Sequence, residues 1–325
     1  MPSPQSIVLI YKNSSSIPEL VIEQIKSSVP TGFALHLCDQ TTSDEERRSK
    51  LANTQFVMIY SVPFNDFDVL HNVKLVQLLS AGSDLLDLDR FTQLDIPVAN
   101  NGSVNSWTVA EHAVLLMLSL LRKLPAHHNA MQNGDWLGHQ HALSLGELRD
   151  KQVGIIGFGH IGQAVAHIVA GFKGKVNYYS RSRIATETEQ SLNATWMPLD
   201  QLLTASDIIT LHTPLVAETR KMLSFEQFSL MKRNALLINT ARGAIIHEPA
   251  LIEALDQGLI AGAALDTFAV EPLPAANPFT NRDNVILTPH MAGTSIDNWQ
   301  RRIDYCFANI LRSVHGEALH SVING

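Results

Sequence analysis

Six residues, Gly157-Phe158-Gly159-His160-Ile161-Gly162, constrain the fold of this chain more than any others. They fit G-x-G-x-x-G, a pattern that is weak alone. Here a buried-strand run, VGII, leads into it and a helical run, IGQAVAHIVA, leads out. The first glycine permits a tight turn, the second lets backbone approach a pyrophosphate, and the third lets helix and strand pack closely. The phosphates then meet free N–H groups at a helix N-terminus, where the dipole favours anions. The motif therefore predicts a dinucleotide-binding βαβ unit.

The rest of the chain carries the same alternation. SIVLIY (6–11), FALHL (33–37), QFVMIY (55–60) and KLVQLLS (74–80) read as buried strands. Ser16 reads as the cap of a helix with Pro18 in its first turn, and TSDEERRSKLA (42–52) as a charged helix. A second block holds QVGIIG (152–157), KVNYYS (175–180), DIITLH (207–212), NALLINT (234–240), IAGAALD (260–266) and VILTPH (285–290). Strands alternating with helices imply parallel sheets covered on both faces. Between the blocks lies a helix that is apolar on nearly every face, residues 106–124, suited to burial against another subunit. An irregular His-, Gly- and Asn-rich arm follows to Arg149, and residues 294–316 read as a final helix.

At 325 residues the length suits two domains, and 45% apolar with 17% charged residues suits a soluble protein with a sizeable core. A net charge of −7 without a basic run argues against nucleic acid as a partner. The start, MPSPQSIVLIYK, has too short an apolar run for a signal-peptide core or a membrane helix. Cys38 and Cys306 make neither a disulfide framework nor a metal cluster. These features read as a cytoplasmic protein without membrane attachment. His127, His128, His139 and His141 cluster in the arm, but no zinc spacing or completing ligand set accompanies them, so no metal is expected.

The nucleotide is addressed by VNYYSRSR, Val176 to Arg183. A carboxylate after the second strand of such a unit accepts hydrogen bonds from the ribose 2′-OH of NAD and repels the extra phosphate of NADP. Ser180 removes that repulsion, while Arg181 and Arg183 can pair with phosphate oxygens. The stretch favours NADP(H), with NAD(H) as the alternative.

INTARG (238–243), ALDTFAVEP (264–272) and TPHMAG (288–293) fall near C-terminal strand ends, where open α/β sheets place ligands. They supply Arg242, Asp266, Glu271 and His290. An arginine can clamp a carboxylate and polarise the neighbouring carbonyl. A histidine can hand a proton to the carbonyl oxygen, and a carboxylate can orient its ring and stabilise the cation. The bare residues fit a structural ion pair as well; the glycine motif upstream tips the reading towards carbonyl reduction.

In this order, NxxxVAEH, GFGHIG, INTARG, ALDxFxxEP and TPHxAG make the chain resemble the D-isomer-specific 2-hydroxyacid dehydrogenase family over essentially its whole length. The resemblance implies an α/β fold of two Rossmann-like domains with parallel sheets and an active site in the cleft. A flavodoxin-like substrate domain would comprise residues 1–102 and 291–325, and an NAD(P)-binding domain residues 103–290. It also implies roles: Arg242 as substrate clamp, His290 as acid/base and Glu271 as its partner. Ala81, Gly82 and Asn105 would meet the substrate, and Asp266 the nicotinamide carboxamide. His160 and Ile161 would meet the pyrophosphate by backbone, with Thr213 and Pro214 along the adenosine and Thr240 also on the cofactor. Such proteins are usually homodimers through the long helix and the arm after it. Ser180 departs from the aspartate of NAD-using members and resembles NADP-using glyoxylate and hydroxypyruvate reductases, pointing to a small 2-keto or 2-hydroxy acid substrate. Formate dehydrogenases on this scaffold pair the histidine with glutamine, against Glu271; a phosphite dehydrogenase or a nucleotide-sensing, corepressor-like binding protein stays open. Phe64, Trp107 and Trp299 are candidates for the substrate pocket, with core packing as the competing reading.

Overall fold

A computed structural model of the chain describes residues 4–140 and 142–325, so His141 of the histidine cluster lies outside the described residues. The chain divides into two units, one running to Asn105 and completed by Ser295–Gly325, the other Ser106–Thr294. These junctions differ by a few residues from those expected, because each falls where a long helix begins: Ser106 is the first residue of one, and Ser295 caps the other.

In the first unit, β1 (Gln5–Tyr11) is followed by α1 (Glu19–Ser27), β2 (Phe33–Cys38), α2 (Asp44–Ala52), β3 (Phe56–Tyr60), β4 (Leu75–Leu78), α3 (Leu88–Gln93) and β5 (Val98–Ala99). All neighbouring strands are parallel, in the order β2-β1-β3-β4-β5, which is the flavodoxin-like order. Side chains alternate between faces, so each strand feeds two cores. Ile7, Leu9, Phe56 and Met58 pack on one side; Val8, Ile10, Val57 and Ile59 pack on the other. The final helix of the chain joins the first of these cores through Trp299, Ile303, Cys306, Phe307 and Ile310. Ser16 does not cap α1: its hydroxyl turns back to the Asn13 carbonyl at 2.7 Å, and Pro18 stands at the cap position.

The second unit opens with α4 (Ser106–Leu121) and α5 (Leu124–Gln132), followed by β6 (Gln152–Ile156), α6 (His160–Gly171), β7 (Lys175–Tyr179), α7 (Thr186–Leu192), β8 (Ala194–Trp196), α8 (Leu199–Ala205), β9 (Ile208–Leu211), α9 (Phe225–Leu230), β10 (Leu236–Asn239), α10 (Glu248–Asp256), β11 (Gly262–Leu265) and β12 (Val285–Leu287); α11 (Ile296–His315) returns to the first unit. The sheet is parallel throughout, ordered β12-β11-β10-β9-β6-β7-β8, so the strand order reverses between β6 and β9. Ile208, Leu236 and Ile238 face the core under α4 and α6; Ile209, Leu211 and Leu237 face the opposite core.

Two local expectations change. The long helix stops at Leu121, because Lys123 takes a left-handed φ of 48°, and a second helix starts at once with Pro125 in its first turn. The arm, expected to be irregular, therefore contains α5. Among the described residues, no helix is long and apolar enough to cross a membrane, and no three His, Cys, Asp or Glu side chains are grouped to hold a metal ion.

Candidate active site

Parallel pairing puts the C-terminal ends of β6, β7, β9, β10, β11 and β12 on one edge of the second unit's sheet, and every segment described next leaves a strand there. The glycine turn follows β6. Gly157 has φ +91°, and a Cβ on it would press on the His212 carbonyl and the Thr213 nitrogen at the end of β9, across the strand-order reversal. Gly162 would drive a Cβ into the Gly157 carbonyl, so helix and turn touch there. Gly159 caps α6, and a Cβ on it would meet open space. A cradle open at the middle glycine, in front of the His160 and Ile161 amides of a helix N-terminus, fits a pyrophosphate. Thr213 is half-buried and Pro214 exposed beside it. The His212 ring Nε2 lies 2.8 Å from Thr210 Oγ1, and burial pushes its pKa down to about 3.

The segment after β7 treats its polar residues unequally. Ser180 donates its hydroxyl to the Ser182 carbonyl at 2.6 Å, and Arg181 is exposed. Arg183, expected to stand free for a phosphate, is already in a two-point pair with Glu189: Nε to Oε1 at 2.8 Å and Nη2 to Oε2 at 2.7 Å. The reason is a neighbour six positions on, in α7, that the sequence pattern did not mark.

Beyond β10, Asn239 is wholly buried and braces the turn that carries Arg242, donating to the Arg242 carbonyl at 3.0 Å and accepting from the Ala241 N–H at 3.0 Å. Thr240, beside it, is nearly buried. Arg242 itself donates from Nη1 to the Ala241 carbonyl. Its turn is pressed against the loop after β11, since a Cβ on Gly243 would overlap the Phe268 backbone. That loop carries Glu271, whose Oε1 accepts from the Phe268 N–H at 2.9 Å and whose Oε2 lies 2.7 Å from His290 Nδ1. Burial pushes the Glu271 carboxyl up. The hydrogen bonds from His290 and Phe268 and the positive charges of His290 and Arg242 outweigh it and hold the group below the usual carboxylate range. The structure thus brings Arg242, Glu271 and His290 together.

His290 sits in the left-handed region at φ 52°, costly for a residue with a side chain and often found where a site is over-determined. The determinant is Asp266, which has no solvent exposure. Its backbone carbonyl accepts from the His290 N–H at 2.8 Å. Its Oδ1 accepts from Thr288 Oγ1 at 2.6 Å and from the Met291 N–H at 2.9 Å, and Oδ2 from the Ala292 N–H at 2.9 Å. Asp266 was expected on the nicotinamide carboxamide; in this structure it accepts three bonds from the loop that presents His290, two on Oδ1 and one on Oδ2, which leaves Oδ2 a further lone pair for such a contact. Because the Thr288 proton goes to a carboxylate, His112 Nε2, 3.2 Å from Thr288 Oγ1, must be the donor to that hydroxyl. Burial first, against the Asp266 charge, lowers the His112 pKa, which suits a neutral ring with Nε2 protonated. The sequence shows His112 only as the last letter of NxxxVAEH, with no role attached; only the topology shows that α4 reaches β12.

In the first unit, Ala81 and Gly82 are half-buried after β4, with their carbonyls held by Asn100 Nδ2 at 3.1 Å and Ser80 Oγ at 2.8 Å. Asn105 is nearly buried, and its Oδ1 has no hydrogen-bond partner. Phe64 packs with Phe67 and Phe91 in the core, and Trp299 is buried edge-on to Tyr60. Trp107, in the second unit, is half-exposed and lies edge-on to His167.

Comparison with known proteins places this geometry. Residues 114–292 match the model of the D-isomer specific 2-hydroxyacid dehydrogenase NAD-binding domain. A glyoxylate reductase of Thermofilum pendens is 36% identical over 259 residues, 79% of this chain and 76% of that protein. One of Pyrococcus furiosus is 35% identical over 79% of this chain and 78% of its own length. Among solved structures, an acyclic imino acid reductase in complex with NADPH and D-Arg is 28% identical, with a TM-score of 0.85 over 98% of this chain and all of that one. D-lactate dehydrogenase with NAD+ from Lactobacillus jensenii is 30% identical, with a TM-score of 0.80 over 98% of this chain and 99% of that one.

Proposed function

The chain belongs to the D-isomer specific 2-hydroxyacid dehydrogenase family, and we propose that it reduces a small 2-keto acid of the glyoxylate or hydroxypyruvate kind to the D-2-hydroxy acid, preferring NADPH. It is an oxidoreductase that uses a nicotinamide dinucleotide. The observation that carries the reading of its chemistry is the 2.7 Å pair of His290 and Glu271. It lies on the sheet edge that bears the glycine cradle, with the Arg242 charge felt by the same carboxylate.

When bound, the reduced nicotinamide supplies the hydride. The protein supplies the rest. Arg242 pairs with the substrate carboxylate and draws electron density from the carbonyl. His290 Nδ1 is engaged by Glu271, so Nε2 is the atom that hands its proton to the carbonyl oxygen. Glu271 fixes the ring and balances the imidazolium charge, and in the oxidative direction the neutral ring takes the proton back. Asp266 acts one step further out, by holding the His290 loop. Ala81 and Gly82 supply backbone amides to the carboxylate, and Asn105 offers a buried amide to the substrate. Gly157, Gly159, Gly162, His160 and Ile161 form the pyrophosphate seat. Thr213 and Pro214 line the adenosine side, and Thr240 lies on the cofactor side.

Ser180 carries no charge to repel a 2′-phosphate, and Arg181 is exposed to receive one. The glyoxylate reductase relatives and the NADPH-bound neighbour support this choice of substrate and cofactor. Trp107, Leu115, Leu124 and Met131 are at least half-exposed on α4 and α5, which supports a homodimer through that helix and arm. Both cysteines are buried free thiols, in keeping with a reducing cytoplasm. The test is a panel of glyoxylate, hydroxypyruvate, pyruvate and phenylpyruvate with NADPH and with NADH. The highest kcat/KM is expected with NADPH and one of the first two acids. No turnover across the panel would sink the reading.

A further inference from the structure

The two arginines after β7 are neighbours in sequence and opposites in surroundings. Arg183 spends Nε and Nη2 on both oxygens of Glu189. Glu189 is 6% exposed, and its Oε1 also accepts the Tyr178 hydroxyl at 2.6 Å. That hydroxyl in turn accepts from the Ile184 N–H at 3.1 Å. The Tyr178 ring is wholly buried and stacked on Phe158 of the glycine turn, with centroids 4.0 Å apart. One side chain therefore ties the pyrophosphate turn to the loop that faces the ribose. Hydrogen bonds from Arg183 and then Tyr178, against burial, hold the Glu189 carboxyl down to about 2, so it is fully charged at neutral pH. Burial and then Glu189 push the Tyr178 phenol up, so it stays a donor. Both arginines are exposed, but Arg181 lies outside the clasp.

We propose that Glu189 is a specificity-determining residue that withholds the paired edge of Arg183 from the 2′-phosphate of a bound NADP, leaving Arg181, among the described residues of the loop, as the cation outside any ion pair. The inference rests on the NADP reading given above. Arg183 is 61% exposed, but a phosphate that reached for its Nε–Nη2 edge would have to displace a nearly buried carboxylate from a two-point pair. It would leave that carboxylate charged and half-satisfied, which is the costly way to break such a pair. It would also bring its own negative charge towards Glu189. Ser180 and Arg181 therefore permit the phosphate, and Glu189 sets how strongly it is favoured.

The experiment is calorimetric titration of the full chain, at one fixed ionic strength, with adenosine 2′,5′-bisphosphate and with 5′-AMP. The two differ only in the 2′-phosphate, so the ratio of their affinities reads discrimination without any turnover. In Arg181→Ala the ratio should fall about tenfold, the low end for a hydrogen bond to a charged group. In Arg183→Ala it should move by less than about threefold. In Glu189→Gln, which keeps an acceptor for the Tyr178 hydroxyl but frees Arg183, the ratio should rise by about three- to tenfold. Adding Arg183→Ala to Glu189→Gln should cancel that gain. An equal loss in Arg183→Ala and Arg181→Ala would overturn the inference, as would a ratio that stays level or drops in Glu189→Gln. A wild-type ratio near one would instead sink the NADP reading. Glu189→Gln would still decide the inference, since a released Arg183 should then create a preference the wild type lacks. Should Glu189→Gln fail to fold, Arg183→Ala against Arg181→Ala decides it alone.

Discussion

Replacing Asp266 by asparagine should loosen the loop that presents His290 while leaving the dinucleotide seat nearly intact. The carboxylate accepts three bonds with two oxygens: Thr288 Oγ1 and the Met291 N–H on Oδ1, and the Ala292 N–H on Oδ2. Asparagine has one oxygen. Seated at the Oδ1 position it keeps two bonds, now to a neutral acceptor, and turns its NH2 against the buried Ala292 N–H. One charge-assisted bond is lost and one buried donor is left without a partner. Together with the weakening of the other two bonds, this comes to about 2–4 kcal/mol of local stability. Amide exchange at Met291 and Ala292 should accelerate by about thirty- to a thousand-fold. kcat should fall, because this bracing helps to hold His290 in its left-handed backbone conformation. Affinity for the dinucleotide, titrated by protein fluorescence, should change less than about threefold, below 1 kcal/mol. The opposite pattern, unchanged exchange at 291–292 with strongly weakened dinucleotide binding, would refute the bracing role and favour a direct contact of Asp266 with the cofactor.

Three further variants test the proposed chemistry. Arg242→Lys keeps the charge but loses the planar fork, so KM should rise and kcat fall together in steady-state assays; near-normal kcat/KM would remove Arg242 from the substrate. The Glu271 carboxyl is held below its ordinary range, so it stays charged at neutral pH; Glu271→Gln removes that charge throughout the assay range. The loss of reductive rate at high pH should then set in at lower pH than in wild type, and the loss of oxidative rate at low pH should shift the same way. His290→Ala should cost about two to four orders of magnitude in rate. An upward or absent shift in Glu271→Gln, with proton transfer shown to be rate-contributing by a solvent isotope effect, would break the proposed coupling.

What the sequence could announce depended on the kind of constraint each residue answers to. The three glycines of the cradle were legible because their constraint is backbone geometry, and only one residue type meets it. Arg242, Glu271 and His290 were legible because each sits in a short motif of fixed spacing. Helix α5 was obscured by a His- and Asn-rich composition, although Pro125 at its first turn was a start signal. Three-residue β8 and two-residue β5 are too short for any periodicity to register. The clasp after β7 was invisible for a different reason. Arg183, Tyr178 and Glu189 are each ordinary for a loop, a strand and a helix, and only the fold brings the polar ends of the first two to the Glu189 carboxylate, at 2.8 and 2.6 Å. The same holds for His112, which reaches Thr288 across 176 positions of sequence. A motif says which atoms are present; the charge each has left to offer a ligand depends on which neighbours have already claimed it. Two arginines in VNYYSRSR are equal as letters. Once Glu189 has paired with one of them, they no longer offer a ligand the same charge.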